Sequence, residues 1–381
     1  MTFVAEALGI SQAVARRLEE KRILRRAFVR HPFFGDVLDA FKLDRKFGEF
    51  EEGTLVAKTV SGLEVVRGYP KIKRALTLYP TIKKHFRGEV VFEEKMNGYN
   101  VRIVRFGENL YAITRGGFIC PYTTEKARML VNESFFKDYP NLMLCCEAVG
   151  EESPFVPKDV YGIKRIDFFV FDVRDRRTNE ALPIRKKERL ADEYGFKIAP
   201  ILAEVHVSEA HEVARDVIRE LGRKGREGIV IKDPNMKRQP IKYTTSEANC
   251  SDLSFAFRFF GEYGRDFMFS RIIREGFQAF ELDDGEELKR RCQRIGEAIL
   301  MAMVESIREV SEGKRIRDSM RLRFYDLEVF ELFKEHVRRM GVNAEFSEPV
   351  KDGESYVVWF HRIMKATTDR IDFILRGNLW Q

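Results

Sequence analysis

Between Glu89 and Tyr243 the chain repeatedly runs a short apolar segment into a charged residue or a glycine, and that alternation restricts it to antiparallel sheets of short strands. Glu89-Val90-Val91-Phe92-Glu93 precedes Lys95 and Val101-Arg102-Ile103-Val104 follows it, which places the lysine in a loop between two strands. Tyr111-Ala112-Ile113-Thr114-Arg115-Gly116-Gly117 ends in an arginine suited to a phosphate and two glycines that let a backbone approach a ligand. Leu142-Met143-Leu144-Cys145-Cys146-Glu147 sets a carboxylate where the apolar pattern asks for another hydrophobe, and that carboxylate needs a hydroxyl or a cation. Along Ile166–Val173, Phe168 and Val170 share one face and Phe169 and Phe171 the other, so a phenyl ring open to a pocket can stack on a purine. Arg226–Lys232 and Gln239–Tyr243 read as neighbouring strands joined by a polar turn at Asp233–Arg238, turning Glu227 and Lys242 toward one site.

The chemistry concentrates on Glu94-Lys95-Met96-Asn97-Gly98-Tyr99-Asn100. A K-x-x-G string alone arises by chance about once or twice in a chain of this length, so it informs only through the ordered elements behind it. A lysine near its reference pKa of roughly 10.4 is a poor nucleophile at neutral pH; attack on a phosphate needs desolvation or neighbouring cations. Arg102, Arg115, Lys232 and Lys242 are the candidates for those cations.

The ordered set resembles the superfamily of ATP-dependent polynucleotide ligases and messenger-RNA capping enzymes, and within it the archaeal ATP-dependent RNA ligase family. The resemblance implies that Lys95 takes AMP from ATP as a phosphoramide. Gly98 and Asn100 fit the RNA-ligase form of the first motif, where DNA ligases usually carry K-x-D-G. Glu94 falls among the nucleotide-binding residues, Arg115 fits the second element, Glu147 the ribose-binding third, and Phe171 with Asp172 the fourth, whose aromatic stacks on adenine. Glu227 fits the metal-binding glutamate, for Mg²⁺ or Mn²⁺. Lys242 fits the lysine on the α-phosphate, but its usual partner two residues earlier is Pro240 here, leaving Lys232 or Lys237 as candidates for the second cation.

The implied reaction runs through enzyme-lysyl-AMP and RNA-adenylate to join or circularise single-stranded RNA bearing 5′-phosphate and 3′-hydroxyl ends. Lys71, Lys73, Lys83, Lys84 and Arg87 offer a basic RNA path. A DNA ligase or a capping-type guanylyltransferase shares the covalent lysine, and a non-catalytic RNA-binding protein is the rival from another class. The first two normally follow the core with a five-stranded OB-fold, for which no pattern is visible after residue 250, and the third is expected to lack Lys95, Glu227 or Lys242.

With 381 residues, 44% of them hydrophobic, the chain has material for two or three domains, and a net charge of +7 permits a basic groove for a polyanion. Charged residues interrupt every N-terminal apolar run and no apolar stretch is long enough to span a bilayer, so a cytoplasmic location with no membrane is expected. The five cysteines form no C-x-x-C and read as small core residues.

The expected class is α+β: an antiparallel-sheet nucleotidyltransferase core at 64–250, a small N-terminal α/β accessory region at 1–63, and a mainly helical C-terminal region at 251–381. The accessory region should open with a helix from Ser11 through Arg30 and contain a hairpin around Ser61-Gly62. In the core, helices are expected near 186–193 and 209–221, the latter covering a sheet. Apolar residues three or four apart predict one long helix from Asp284 to Val310 and another from Asp318 to Met340. The family resemblance implies that such C-terminal helices pair two subunits as a homodimer.

Overall fold

The structure is a computed structural model that describes residues 2–157, 160–283 and 285–379. Its mixed α+β architecture contains four sheets. The first is an N-terminal meander of Leu24–Arg26, Val37–Leu43, Leu55–Thr59 and Gly62–Val66, the last two forming the expected hairpin. Ser11 caps a helix by accepting a hydrogen bond from the backbone N–H of Val14 at 3.3 Å. That helix spans only Gln12–Glu20, because Arg22 turns the chain with φ at 54° and the next residues join the sheet, so the expected helix through Arg30 is corrected.

Two central sheets meet at Lys95. One orders Asp167–Asp175, Leu142–Val149, Tyr99–Phe106 and Asn109–Thr114, all antiparallel. The other orders Ile201–His206, Glu89–Lys95, Gly228–Lys232, Ile241–Thr244 and the short Lys73–Arg74, whose pairing with Ile241–Thr244 is parallel. Lys95 is thus the last residue of a strand in one sheet, and after a three-residue turn Tyr99 starts a strand of the other.

The first of these sheets is covered on both sides. Val101 and Ile103 pack with the C-terminal half through Leu322, Phe324 and Phe333, whereas Val104 and Phe106 pack on Leu55, Ala57 and Val66 of the N-terminal meander. The two-residue strand period sends alternate side chains to these two cores. Helix Ala210–Arg223 covers the second sheet through Ala214, Ile218 and Leu221 against Val90, Phe92 and Ile229, as its apolar stripe requires.

The C-terminal region is mainly helical, with Ser246–Arg258, Arg265–Leu282, Gly285–Ser311, Leu327–Arg339 and Lys365–Leu375. Asp284, the expected start of the long helix, lies outside the described residues. The helix expected over Asp318–Met340 is corrected: Arg317–Phe324 is a strand, and only Leu327–Arg339 is helical. Met320, Leu322 and Phe324 are buried at every second position, a strand period hidden beside the helical one that follows. This strand pairs with Ser355–Ile363, which also holds Ala344–Phe346 and Val350–Asp352, so a small sheet sits among the helices. All five cysteines are free; four are buried, but Cys292 is exposed on Gly285–Ser311, contrary to its reading as a core residue. Among the described residues no helix is long and apolar enough to cross a membrane.

Candidate active site

A cavity of about 490 Å³ opens where the two central sheets meet, and Glu94, Lys95, Gly98, Asn100, Arg115, Glu147, Phe171, Lys232 and Lys242 all line it. Glu227 is brought in by pairing, because Gly228 stands opposite Lys95 across the ladder. Its Oε1 lies 2.7 Å from Lys95 Nζ, both side chains being about one-fifth exposed. An adjoining cavity shares Lys95 and Gly98 and includes Glu227.

Gly98 is a packing requirement, since a Cβ there would sit 2.2 Å from the carbonyl oxygen of Ala148. It presses the turn after Lys95 onto Leu142–Val149, and Tyr161 finishes the job by accepting the Asn97 backbone N–H at 2.7 Å. Arg226 links the same turn to Glu94, with Nη1 3.1 Å from Oε1 and its guanidinium 4.2 Å from the Tyr161 ring centroid. Gly117, expected to clear room for a ligand, instead accommodates the protein: with φ at 88° its Cβ position would lie 2.7 Å from the Gly53 carbonyl. Gly116 is the one of the pair that lines the cavity.

Phe171 owes its position to a bulge. Val170 pairs with Cys146 and Asp172 with Cys145, so Phe171 is the extra residue, and a bulge of this kind re-aims a side chain. Its carbonyl, lost to the ladder, accepts from Lys232 Nζ at 2.7 Å and Lys187 Nζ at 3.1 Å. Those two ammonium groups also pair with the buried Glu93, and Lys232 reaches Asp172 Oδ1 at 3.0 Å. Burial alone would raise the Asp172 carboxyl, but Lys232, Arg174 and the Tyr69 hydroxyl hold it down to about 2. Tyr69 and Phe171 meet edge to face, ring centroids 5.1 Å apart, and Phe171 lines the cavity, where an aromatic ring can stack on a planar ligand.

These contacts sort the candidate cations. Lys232 is fully committed to Glu93, Asp172 and Phe171, and it supports the aromatic wall. Lys237 is exposed in the Asp233–Arg238 turn and does not line the cavity. Arg102 is corrected as a site cation: it is wholly buried and outside the cavity lining, where Nη2 donates to the carbonyls of Gly53 at 2.8 Å and Thr114 at 2.9 Å and ties the N-terminal meander to the core. Arg115 and Lys242 make no ion pair among the described residues. Burial, followed by the nearby charges of Arg74, Lys95 and Arg115, lowers the Lys242 ammonium to about 8. Burial pushes the Glu147 carboxyl up to about 7, with Lys95 pulling it down and Glu227 pushing it up.

Asn100 Oδ1 is buried in the cavity wall without a hydrogen-bond partner among the described residues, a polar group left for a ligand. Among the described residues no three His, Cys, Asp or Glu side chains form a self-sufficient metal cage. Glu227, beside Lys95, suits a hard cation that takes one or two carboxylates and completes its shell with phosphate oxygens and water.

A lysine paired with a carboxylate, unpaired cations, an aromatic wall and a two-sheet cleft define a nucleotidyltransferase-type ligase. Residues 88–244 match the RNA ligase family and residues 255–378 the family described as the Ligase Pab1020 C-terminal region. The chain is 40% identical to an uncharacterised protein of Methanocaldococcus jannaschii, over 99% of this chain and 96% of that one. Two solved structures of an archaeal ATP-dependent RNA ligase, form 1 and form 2, superpose on it with TM-scores of 0.91, at 38% and 37% identity, covering 100% of this chain and 99% of those. The chain belongs to the archaeal ATP-dependent RNA ligase family.

Proposed function

We propose that this ATP-dependent RNA ligase joins or circularises RNA through enzyme-lysyl-AMP and RNA-adenylate intermediates, acting on 5′-phosphate and 3′-hydroxyl ends. The observation that carries the reading is the 2.7 Å contact between Lys95 and Glu227 at the edge of a cavity lined by Arg115, Glu147 and Lys242. Glu227 takes the proton that the Lys95 ammonium must lose, and the free amine attacks the α-phosphorus of ATP. A nitrogen–phosphorus bond forms, the bond to the β-phosphate oxygen breaks, and pyrophosphate leaves with that electron pair. Lys242 and Arg115 hold the charge that builds on the phosphates. Phe171 stacks on the base, Glu147 accepts the ribose hydroxyls, and Glu94, Gly98 and Asn100 shape the wall around them. Glu227 would hold Mg²⁺ or Mn²⁺, which when bound neutralises phosphate charge. The RNA 5′-phosphate then displaces Lys95 from AMP, and a 3′-hydroxyl displaces AMP from the RNA.

The pH dependence follows from the two shifted groups. Glu147 ionises as pH rises through about 7, and Lys242 loses its proton above about 8. The kcat/KM for ATP should therefore fall on both sides of pH 7–8, and Lys242→Arg, which keeps its charge, should move only the alkaline limb upward.

We further propose a division of labour at about residues 63 and 250, with the N-terminal region bracing the core and the C-terminal helices pairing two copies. The support for pairing is exposed apolar side chains on two helices: Phe269, Phe277 and Phe280 are 64%, 45% and 89% exposed on one, and Leu300 and Met301 62% and 65% on the next. Light scattering should give a dimer for the wild type and a monomer for Phe277→Asp combined with Met301→Asp.

Function is tested by incubating the protein with labelled ATP or GTP, then supplying single-stranded RNA or nicked DNA. Uptake from ATP and sealing of RNA support the reading. Uptake from GTP, sealing of DNA alone, or no uptake would each replace it with one of the rivals.

A further inference from the structure

Arg74 stands outside every recognised motif, yet the fold sets it beside Lys242. It comes from the two-residue strand Lys73–Arg74, in direct register with Lys242 on the neighbouring strand. Adjacent strands lie about 4.8 Å apart, so Arg74 occupies the next position outward from Lys242. Arg74 is half-buried, and its charge acts on Glu227, Arg271 and Asp252 as well as on Lys242. Among the described residues it forms no ion pair and one side-chain hydrogen bond, from Nη1 to Thr244 Oγ1 at 2.7 Å. A guanidinium has five N–H donors, so a half-buried cation with most of its donors uncommitted lies beside the proposed α-phosphate lysine.

That single bond begins a buried polar chain. Thr244 Oγ1 donates to Asn249 Oδ1 at 3.2 Å, and Asn249 Nδ2 donates to Glu275 Oε1 at 2.7 Å. Glu275 Oε2 accepts from Ser246 Oγ and Arg291 Nη1, both at 2.6 Å. Gln278 Nε2 donates to the Thr244 carbonyl at 2.9 Å, closing the network from the backbone side. Asn249, Glu275, Gln278 and Arg291 are between 1% and 4% exposed. Arg74 is therefore aimed by residues of three C-terminal helices, which provides a physical reason for the core to depend on that region.

We propose that Arg74 is the second phosphate cation of the site, binding the pyrophosphate half of ATP, and that Asn249 and Glu275 are positioning residues that hold it there. The inference rests on the lysyl-AMP reading and deepens it. With Lys242 on the α-phosphate, Arg74 faces the β- and γ-phosphates and stabilises the pyrophosphate as it departs, a place that neither Pro240, which has no charge, nor the committed Lys232 can fill.

The test uses full-length protein, inorganic pyrophosphate as the probe, and RNA already adenylylated at its 5′ end as the control. Arg74→Ala should slow enzyme-AMP formation about 10²-fold and raise the KM for pyrophosphate in the reverse reaction, with sealing of pre-adenylylated RNA retained. Arg74→Lys should restore part of the rate, and Asn249→Ala should shift the same two readouts in the same direction by less. Should Arg74→Ala fail to fold, Arg74→Gln, which keeps a donor toward Thr244 without the charge, decides by the same readouts. Wild-type adenylylation and pyrophosphate use in the folded variant would overturn the proposal, as would an equal loss of the pre-adenylylated reaction. A wild-type enzyme that takes up no AMP would instead sink the parent reading and this inference with it.

Discussion

Lys95→Ala is expected to abolish sealing of RNA from ATP while leaving the enzyme able to join a strand whose 5′ end already carries AMP. The asymmetry follows from what Lys95 does: its nitrogen is bonded to phosphorus only between ATP and RNA-adenylate, and the final displacement needs no nucleophile from the protein. Lys95→Arg separates nucleophilicity from charge. A guanidinium pairs with Glu227 as well as an ammonium does, but it stays protonated at every relevant pH and cannot attack. Both variants should show no detectable AMP capture, measured as protein-bound label that survives denaturation, and both should convert pre-adenylylated RNA on a sequencing gel. Capture that persisted in Lys95→Arg would mean that a different group is the nucleophile.

Glu227→Gln should lower the rate of AMP capture by about 10²–10⁴-fold, the range for a positioned proton acceptor. The amide preserves the size of a side chain that is 20% exposed and 2.7 Å from Lys95, so packing around Gly228 should not change. What is lost is the acceptor for the Lys95 proton and a negative oxygen for a divalent cation. Single-turnover labelling at several concentrations of Mg²⁺ or Mn²⁺ separates these losses: a defect that shrinks as the cation concentration rises reflects the ligand, and one that does not reflects the acceptor.

The parts of this site that were legible in the sequence are those in which a strand pattern ends on an out-of-place charge. Lys95, Arg115, Glu147, Glu227 and Lys242 each close or interrupt an apolar run, and the two sheets bring them to one cavity or its rim. Residues whose roles depend on contacts between distant segments were not legible. Arg74 lies on a strand too short to show a period, Tyr69 and Tyr161 come from stretches with no signal of their own, and Lys187 lies in an expected helix whose pattern does not single it out; they meet Phe171 or the Lys95 turn only after folding. Arg102 shows the reverse error. It follows Lys95 closely in sequence and shares a strand face with Asn100, but two residues further along that strand it is buried under the N-terminal meander, where backbone carbonyls bind its guanidinium. Arg317–Phe324 was hidden because three alternating apolar residues run straight into a true helical stripe from Leu327, and local periodicity does not mark where one gives way to the other.

The central claim is that one lysine, Lys95, carries AMP. Peptide mapping by mass spectrometry after incubation of the wild-type protein with ATP and Mg²⁺ tests it most directly, with digestion kept at neutral pH because phosphoramides are acid-labile. The account predicts a single added AMP on the peptide that contains Lys95, removed by pyrophosphate. AMP on a peptide carrying Lys232 or Lys242 instead, or no adduct from a folded protein that arrives free of AMP, would contradict it.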